Sequence, residues 1–310
     1  MWVIGFLQIV VPVLLLATVA LARQPSRMLW TMNALSFGVV LGYMWLGARW
    51  DIVSVHVRTA LPIFFLLAVV VGYQRYRTPE EPPGRAVVAF GVVVSAALIV
   101  FMGGLSYAAL TGYSVPDEAV DLASPLRAGR YVVLHGGASP LINGHARVRP
   151  QNYALDIVEL DALGMRAKAF ADRADLSGYF IFGATLYSPC GGTVTAAVDE
   201  YEDLAPPETD REHLAGNHVL IECEGVEVLL AHMRRGSLRV AVGDAVATTT
   251  VLGQVGNTGN TSEPHLHLHA ERGGEPGVAL DGQAVPITIN GRFLVRGDIV
   301  KERAALPIRP

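Results

Sequence analysis

Hydrophobic residues are concentrated in the first third of the chain. Three apolar runs there are as long as the roughly 20 residues that a membrane-spanning helix needs, and a fourth is shorter. Adding residues 52–58 lengthens this short run and places His56 and Arg58 at a membrane boundary, where a long side chain can snorkel. The pattern predicts four transmembrane helices within residues 1–112, built on the runs 3–22, 28–48, 59–73 and 86–110.

A membrane anchor is the simplest role for these runs, because few ionisable residues lie inside them and an ion pathway would need such residues. A cleaved signal peptide is the alternative interpretation of the first run. That run has no basic segment before its apolar core and no clear small-residue cleavage site. A retained helix is therefore favoured.

The pattern changes after residue 112. Residues 113–129 are polar and contain Pro116 and Pro125, which predicts a juxtamembrane linker. Over residues 130–310, short runs rich in Val, Ile, Leu and Tyr alternate with Gly, Pro, Asn and Asp, which is typical of an all-β domain. A short helix is expected only around residues 167–174. The predicted strands are residues 131–134, 153–160, 192–198, 218–223, 226–232, 251–255 and 265–270.

Arginine placement predicts the orientation of the helices, since cytoplasmic loops carry an excess of positive charge. With the amino terminus outside, the outer loops hold only Arg49 and Arg58. The β domain then lies outside the cytoplasm, on a multi-pass protein of the plasma membrane. The cytoplasmic loops would hold Arg23, Arg27, Arg75, Arg77 and Arg85.

Charge argues against one class of partner. Residues 1–112 contain seven arginines, no lysine and three acidic residues, whereas the remainder contains 17 basic and 25 acidic residues. An acidic second half lacks the clustered Lys and Arg that nucleic-acid binding requires. No nucleic-acid partner is expected.

Cys190 and Cys223 both lie in the part predicted to be outside the cytoplasm, where a disulfide can form. Two free buried thiols are the alternative. A metal site on the two thiols is disfavoured, because the chain has no Cys-x-x-Cys spacing.

Three histidines at alternate positions follow a turn-rich segment, GNTGNTSEP, at residues 256–264. Side chains two residues apart in a strand point to the same face, so His265, His267 and His269 share one side. The Gly-Asn pairs and Pro264 favour a loop before them. The histidines therefore emerge from a loop, and two neighbours could act on one substrate bond.

Two earlier segments complete a pattern with these histidines. Asn-Tyr-Ala-Leu-Asp ends at Asp156, and Leu-Ala-His-Met contains His232. In this order and spacing, over roughly residues 131–270, the chain resembles the lysostaphin-type (LytM-like) zinc murein endopeptidases. The resemblance implies a mainly antiparallel β domain of the LytM, duplicated hybrid motif type. It also implies that Asp156 and His267 bind Zn²⁺, and that His232 and His265 flank the metal as catalytic groups.

The chain departs from the family at the first zinc ligand, where Asn152 stands in place of a histidine. A carboxamide is a poor zinc ligand, and a catalytic zinc needs three protein ligands with one open position. His145, in an Asn-Gly-His turn eleven residues before Asp156, is the available substitute and resembles a variant branch of the family. We expect His145 as the third ligand, with Asn152 as the alternative, and a structural or supporting role for His269.

The resemblance predicts a membrane-anchored zinc peptidase that hydrolyses peptide bonds in the cross-links or stems of peptidoglycan. A non-hydrolytic murein-binding or hydrolase-activating module is the first alternative, although such a module would have no chemical need of both His232 and His265. In the second alternative, the helices form a functional membrane domain, with a membrane-protein partner, and the β domain acts as a sensor.

The arginine asymmetry generates a test of topology. A cysteine replacing Ser114 should react with an impermeant thiol reagent in intact cells, because the linker is expected outside. A cysteine replacing Gly84, beside Arg85, should react only after lysis. Labelling of the residue 114 variant only after lysis would contradict the predicted orientation.

Overall fold

The computed structural model describes residues 2–76 and 84–301 and divides the chain into two compact units, one ending at Leu110 and the other beginning at Thr111. Arg77, which the charge argument places in a cytoplasmic loop, lies outside the described residues, as do residues 302–310 of the expected β domain. The predicted fold class is confirmed: four long apolar helices precede a mainly antiparallel all-β unit.

The first unit consists of four helices that are long and apolar enough to cross a membrane. The third begins upstream of its apolar core and includes His56 and Arg58, as the short third run requires. Large apolar side chains such as Phe90 and Phe101 are exposed, a surface suited to lipid contact. The helices are α1 (Trp2–Leu21), α2 (Arg27–Gly47), α3 (Val55–Arg75) and α4 (Arg85–Leu110).

Small and polar residues hold these helices together. The Ser95 hydroxyl of α4 donates to the Asn33 carboxamide of α2 over 2.8 Å, and Asn33 donates to Gln24 over 3.1 Å. The indole of Trp30 donates to the Val19 carbonyl of α1. Such hydrogen bonds are a common source of helix association where water is absent.

The second unit contains thirteen strands among the described residues. They are β1 (Val120–Leu122), β2 (Arg130–His135), β3 (Leu155–Glu159), β4 (Thr185–Tyr187), β5 (Gly192–Val198), β6 (His218–Cys223), β7 (Val226–Ala231), β8 (Ala245–Val246), β9 (Val251–Gln254), β10 (Leu266–Arg272), β11 (Gln283–Val285), β12 (Ile287–Ile289) and β13 (Ile299–Lys301).

A nine-stranded sheet forms the centre of this unit. Eight strands follow one another in the order β13-β2-β3-β10-β7-β6-β5-β8, and the ninth, β11, pairs with β10. All pairs are antiparallel. Strand β10 lies in the middle, with β7 on one edge; β3 and β11 share its other edge. Its apolar residues Leu266, Leu268 and Ala270 are fully buried and alternate with the three histidines. Both faces of β10 are therefore inside the domain.

The predicted linker differs from the structure in one part. Within residues 113–129, β1 pairs in parallel with β12, and the Gly112 carbonyl just before this segment accepts the Ala138 N–H over 2.9 Å. Apolar residues of β1 and β12, Leu122 among them, are buried in the domain. The free energy of burying them favours a strand although the segment around β1 is polar. The short helix expected at residues 167–174 is absent; turns occupy that segment.

Cys190 and Cys223 form a disulfide across a sequence separation of 33 residues. Cys223 ends β6, and Cys190 lies in the turn before β5, so the bridge joins neighbouring strands at one end of the sheet. Both cysteines are thus accounted for without a metal.

This bridge should be measurable in the purified protein. Thiol titration under denaturing, non-reducing conditions should find no free thiol, and reduction should release two. Replacing both cysteines by serine should lower the free energy of unfolding by about 3 to 4 kcal/mol, the chain-entropy value for a loop of this length. Two reactive thiols before reduction would contradict the disulfide.

Candidate metal and catalytic site

Sheet register brings the predicted site residues together. On β10, His267 lies directly opposite Asp156 of β3 on one side and Ala231 of β7 on the other. Directly opposed residues of antiparallel strands share a face and lie close together. His232 follows Ala231 at the end of β7, and His265 precedes β10. Four residues separated by up to 111 positions therefore meet at one end of three adjacent strands.

Asp156 is the centre of the cluster and is 6% exposed. Its Oδ2 lies 2.8 Å from Nε2 of His145, and its Oδ1 lies 2.9 Å from Nδ1 of His267. The Oδ1 atom is also 3.4 Å from Nε2 of His265. One buried carboxylate thus faces three imidazoles.

His145 reaches the carboxylate from a 3-10 turn, Gly144–Arg147, rather than from a strand. Asn143 fixes this turn: its buried side chain accepts the His145 N–H and donates to the carbonyls of Gly137 and Ala154. The second ring nitrogen of His145 contacts the Gln151 carboxamide at 2.9 Å. The Asn-Gly-His turn is therefore tied to the residues just before β3.

His135 is a residue whose place the sequence did not indicate. It ends β2, and its ring lies 5.4 Å from that of His145. Its Nδ1 accepts the Gly144 N–H over 2.7 Å and is 3.2 Å from Arg296. A Cβ on Gly144 would lie 2.9 Å from the His135 ring, so this close approach needs a glycine. His135 thus supports the turn that presents His145.

Asn152 does not join the cluster through any hydrogen bond among the described residues. It directly follows the 3-10 turn Arg149–Gln151. Its carboxamide oxygen is buried and has no hydrogen-bond partner among the described residues. Its backbone carbonyl accepts a long bond from Asn143. The two expected third ligands therefore differ: His145 contacts the Asp156 carboxylate, whereas Asn152 makes no side-chain hydrogen bond to the cluster among the described residues.

His232 is buried and has a left-handed backbone, with φ of 61°. Residues other than glycine adopt this conformation at a cost and often at functional sites. Its N–H donates to Ala215 and its carbonyl accepts the Gly256 N–H. Its Nδ1 donates to the Thr258 carbonyl over 2.8 Å, so Nε2 keeps a free lone pair. The ring centre lies 4.9 Å from that of His265.

His265 is held from behind in a similar way. Its Nδ1 donates to the Glu263 carbonyl over 2.8 Å, which turns Nε2 towards Asp156. The Glu263 side chain forms a buried ion pair of 2.7 Å with Arg166, and both side chains are 3% exposed. Because Arg166 belongs to the loop after β3, this pair fixes the histidine-bearing loop to the strand that carries Asp156.

The titratable groups of the cluster differ in the direction of their pKa shifts. Burial raises the pKa of Asp156, but the imidazoles of His145 and His265 outweigh burial and hold it well below its usual range. Burial lowers the pKa of His267 to about 3, and burial with neighbouring histidines holds that of His232 well below normal. Burial opposes protonation of His145 and His265, yet Asp156 raises the pKa of both. The carboxylate is thus ionised and favours a cation beside it.

Two sets of three side chains bring ligand atoms within 4.8 Å of one another: His145, Asp156 and His267, and His232, His265 and His267. Imidazole nitrogen and carboxylate oxygen are ordinary zinc ligands. The first set contains the ionised carboxylate, which supplies the negative charge that a divalent cation needs. The residues of that set therefore fit a zinc ion with a position left for another ligand.

Comparison with known proteins gives one family match. Residues 179–278 match the family described as Peptidase family M23. That segment contains His232, His265 and His267, whereas His145 and Asp156 precede it. No curated protein matches the chain.

Several solved structures have a similar fold, at TM-scores below 0.5. The SpoIIQ-SpoIIIAH pore-forming complex matches 53% of this chain and 86% of that chain, with 17% identity and a TM-score of 0.32. The lysostaphin catalytic domain from Staphylococcus simulans matches 39% and 86%, with 17% identity and a TM-score of 0.25. A zinc-containing peptidase from Vibrio cholerae matches 38% and 46%, with 17% identity and a TM-score of 0.24.

The family match agrees with the resemblance seen in the sequence, and it falls on strands β4 to β10 and the loops that carry His232 and His265. The β unit of this chain therefore contains a Peptidase family M23 segment, residues 179–278.

Proposed function

We propose that the chain is a membrane-anchored zinc metalloendopeptidase that hydrolyses peptide bonds in the cross-links or stems of bacterial peptidoglycan. The observation that carries this proposal is the buried, ionised Asp156, which faces His145 and His267 while His232 and His265 adjoin it. The Peptidase family M23 segment supports the reaction class. The substrate class rests on the family resemblance.

The domain arrangement supports a role at the cell surface. Residues 1–112, with four helices long enough to span a bilayer, would anchor the chain in the plasma membrane. The β domain, residues 130–310, would then work outside the cytoplasm, as the arginine distribution suggests. Peptidoglycan is the partner of the β domain, lipid surrounds the helices, and the helices offer a surface to a membrane-protein partner.

His145, Asp156 and His267 would hold the zinc ion. When bound, zinc supplies a Lewis acid that polarises the scissile carbonyl and lowers the pKa of water. Asp156 offers an oxygen, and the two histidines reach its carboxylate from different segments, His145 from the 3-10 turn and His267 from β10. Asn143 and His135 keep the 3-10 turn in place.

His232 is suited to be the general base. The Thr258 carbonyl occupies its Nδ1, so its Nε2 lone pair is free to take the proton of the attacking water. Its lowered pKa keeps the ring neutral at neutral pH, which a base requires. The strained backbone at this position fixes where the ring points.

His265 is suited to stabilise the oxyanion. The Glu263 carbonyl occupies its Nδ1, and the Asp156 carboxylate raises the pKa of the ring against burial, which favours a second proton on Nε2. A protonated Nε2 beside Asp156 can donate a hydrogen bond to the oxygen that becomes negative during attack. The Arg166–Glu263 ion pair holds the donor in a fixed place, so little reorganisation is needed.

A non-hydrolytic murein-binding or hydrolase-activating module is the second candidate function. Asn152, at the family's first ligand position, favours it, because a carboxamide binds zinc poorly. His145 argues against it, since this histidine restores a nitrogen ligand beside Asp156. The two functions differ in whether intact murein is cut.

The identity of the third ligand can be tested by metal retention in the full chain in detergent. Replacing His145 by Ala should abolish tight zinc binding, because only two ligands remain. Asn152→Ala is the matched control and should retain nearly one zinc per chain. Asp156→Asn and His267→Ala should also lose the metal.

Zinc content by elemental analysis after dialysis against a weak chelator would decide this. Loss of zinc in Asn152→Ala with retention in His145→Ala would assign the site to the amide instead. If neither change affected zinc content, the set of three ligands would be wrong.

The catalytic roles can be tested by mass analysis of purified peptidoglycan after incubation with the protein. His232→Ala and His265→Ala should each keep their zinc yet lose about 100 to 1,000-fold in hydrolysis, the usual cost of removing a general base or an oxyanion donor. His218→Ala, on β6 and outside the cluster, should cleave normally.

Near-normal cleavage by either variant would show that its histidine has another role. A wild-type protein that binds murein and releases no fragment would favour the non-hydrolytic module.

A further inference from the structure

Behind the cluster, the buried face of β10 continues as a chain of polar side chains at alternate positions. His267 Nε2 lies 2.9 Å from His269 Nδ1, with the rings 5.2 Å apart at 78°. His269 and Glu271 are each 1% exposed. The apolar side chains of Leu229 and Ala231, opposite these histidines on β7, belong to the same buried surroundings. Polar atoms there must be satisfied by one another.

Glu271 ends this chain. Its two carboxylate oxygens accept the backbone N–H groups of Leu280 and Gly282, over 3.0 and 2.8 Å. The other ring nitrogen of His269, Nε2, lies 3.8 Å from Glu271 Oε1 and has no hydrogen-bond partner among the described residues. A buried nitrogen without a partner is rare, because it destabilises the folded state.

The protons on His267 and His269 can be arranged in two ways. If His267 is protonated on Nδ1, it donates to Asp156, and its Nε2 must accept from His269 Nδ1. The bare Nε2 of His269 then faces a carboxylate and cannot bond to it. If His267 is protonated on Nε2, it donates to His269, and His269 donates towards Glu271. The N–H at Nε2 of His269 then faces the Glu271 carboxylate across 3.8 Å, an attractive electrostatic contact that the first arrangement lacks.

The second arrangement leaves a lone pair on His267 Nδ1 facing the Asp156 carboxylate. Two acceptors at 2.9 Å repel each other unless a cation lies between or beside them. The arrangement in which His269 directs an N–H towards Glu271 is therefore the one that leaves His267 Nδ1 able to bind a metal.

We propose that His269, with the buried Glu271 carboxylate behind it, fixes the proton of His267 on Nε2 and so holds Nδ1 ready for the metal. This inference rests on the proposed zinc site. Outer partners of this kind orient a metal-bound histidine and increase its basicity. His269 is a positioning residue, because it contacts the metal ligand and neither the substrate nor the reacting atoms.

The test is zinc affinity of the full chain in detergent, by competition with a chelator. His269→Phe keeps a ring and removes both nitrogens, so its zinc dissociation constant should rise about 10 to 100-fold. His269→Asn retains an acceptor oxygen near the place of Nδ1 but cannot reach Glu271, so it should recover part of the affinity. His218→Phe, a histidine of β6 outside the cluster, is the matched control and should bind like wild type.

The Co²⁺-substituted protein gives a second readout. The visible absorption of bound Co²⁺ should change in His269→Phe and return towards wild type in His269→Asn. Should the Phe variant fail to fold by circular dichroism, Glu271→Gln takes its place, with an expected severalfold loss of affinity.

The outcomes separate the two proposals. Wild-type protein without zinc affinity would overturn the zinc site itself. If the wild-type protein binds zinc and the folded His269 and Glu271 variants bind it with unchanged affinity, only the role proposed for His269 and Glu271 would be overturned. An Asn variant that binds zinc no better than Phe would show that an acceptor at the place of Nδ1 does not support the site, which would overturn the role given to the His267–His269 hydrogen bond.

Discussion

The burial of one ionised carboxylate governs the rest of the site. An isolated charge in a protein interior is costly unless opposite charge or hydrogen-bond donors surround it. Asp156 is surrounded by His145, from a 3-10 turn, and by His265 and His267, from the segment that leads into β10. Those segments must therefore be held in place, and much of the polar structure around the cluster does this.

Each histidine around Asp156 is oriented by a group on its far side. Backbone carbonyls accept from His232 and His265, Gln151 contacts His145, and His269 contacts His267. A ring with one nitrogen bonded in this way has its other nitrogen directed into the cluster. The arrangement therefore sets both the direction and the protonation of the nitrogens that face Asp156.

The loops are fixed as firmly as the strands. Asp203 accepts the Asn257 N–H, Thr258 bonds to Met233, and the Arg166–Glu263 pair closes the other side of the turn before His265. These bonds cross large sequence separations and join the loop that carries Asp203, the residues just after β7 and the loop before His265. A loop held in this way can carry catalytic groups without losing their geometry.

The residue at position 152 distinguishes this chain from the family that its sequence resembles. The residue stands directly before the strand of Asp156, where the family's histidine would lie. Here the 3-10 turn at residues 144–147 supplies His145 from another direction. The cost is a turn that needs its own supports, which are Asn143, Gly144 and His135.

Local pattern alone predicted the helices, most strands and the histidine motif of the candidate site. Apolar runs of about 20 residues leave few alternatives to a spanning helix, and strand alternation placed His265, His267 and His269 on one face. The sequence also marked His145 as the substitute for Asn152, because few other ligand types lie near Asp156. These conclusions depend on neighbouring residues, which a sequence displays directly.

Tertiary structure decided what depends on pairing between distant segments. The register that sets His267 opposite Asp156, the parallel pairing of β1 within the expected linker, and the support of His145 by His135 all join residues far apart in the chain. The Arg166–Glu263 pair and the His269–Glu271 chain are of the same kind. The type of a residue indicates its preference for water. Its burial and its hydrogen-bond partners depend on which strands and loops the folded chain brings beside it.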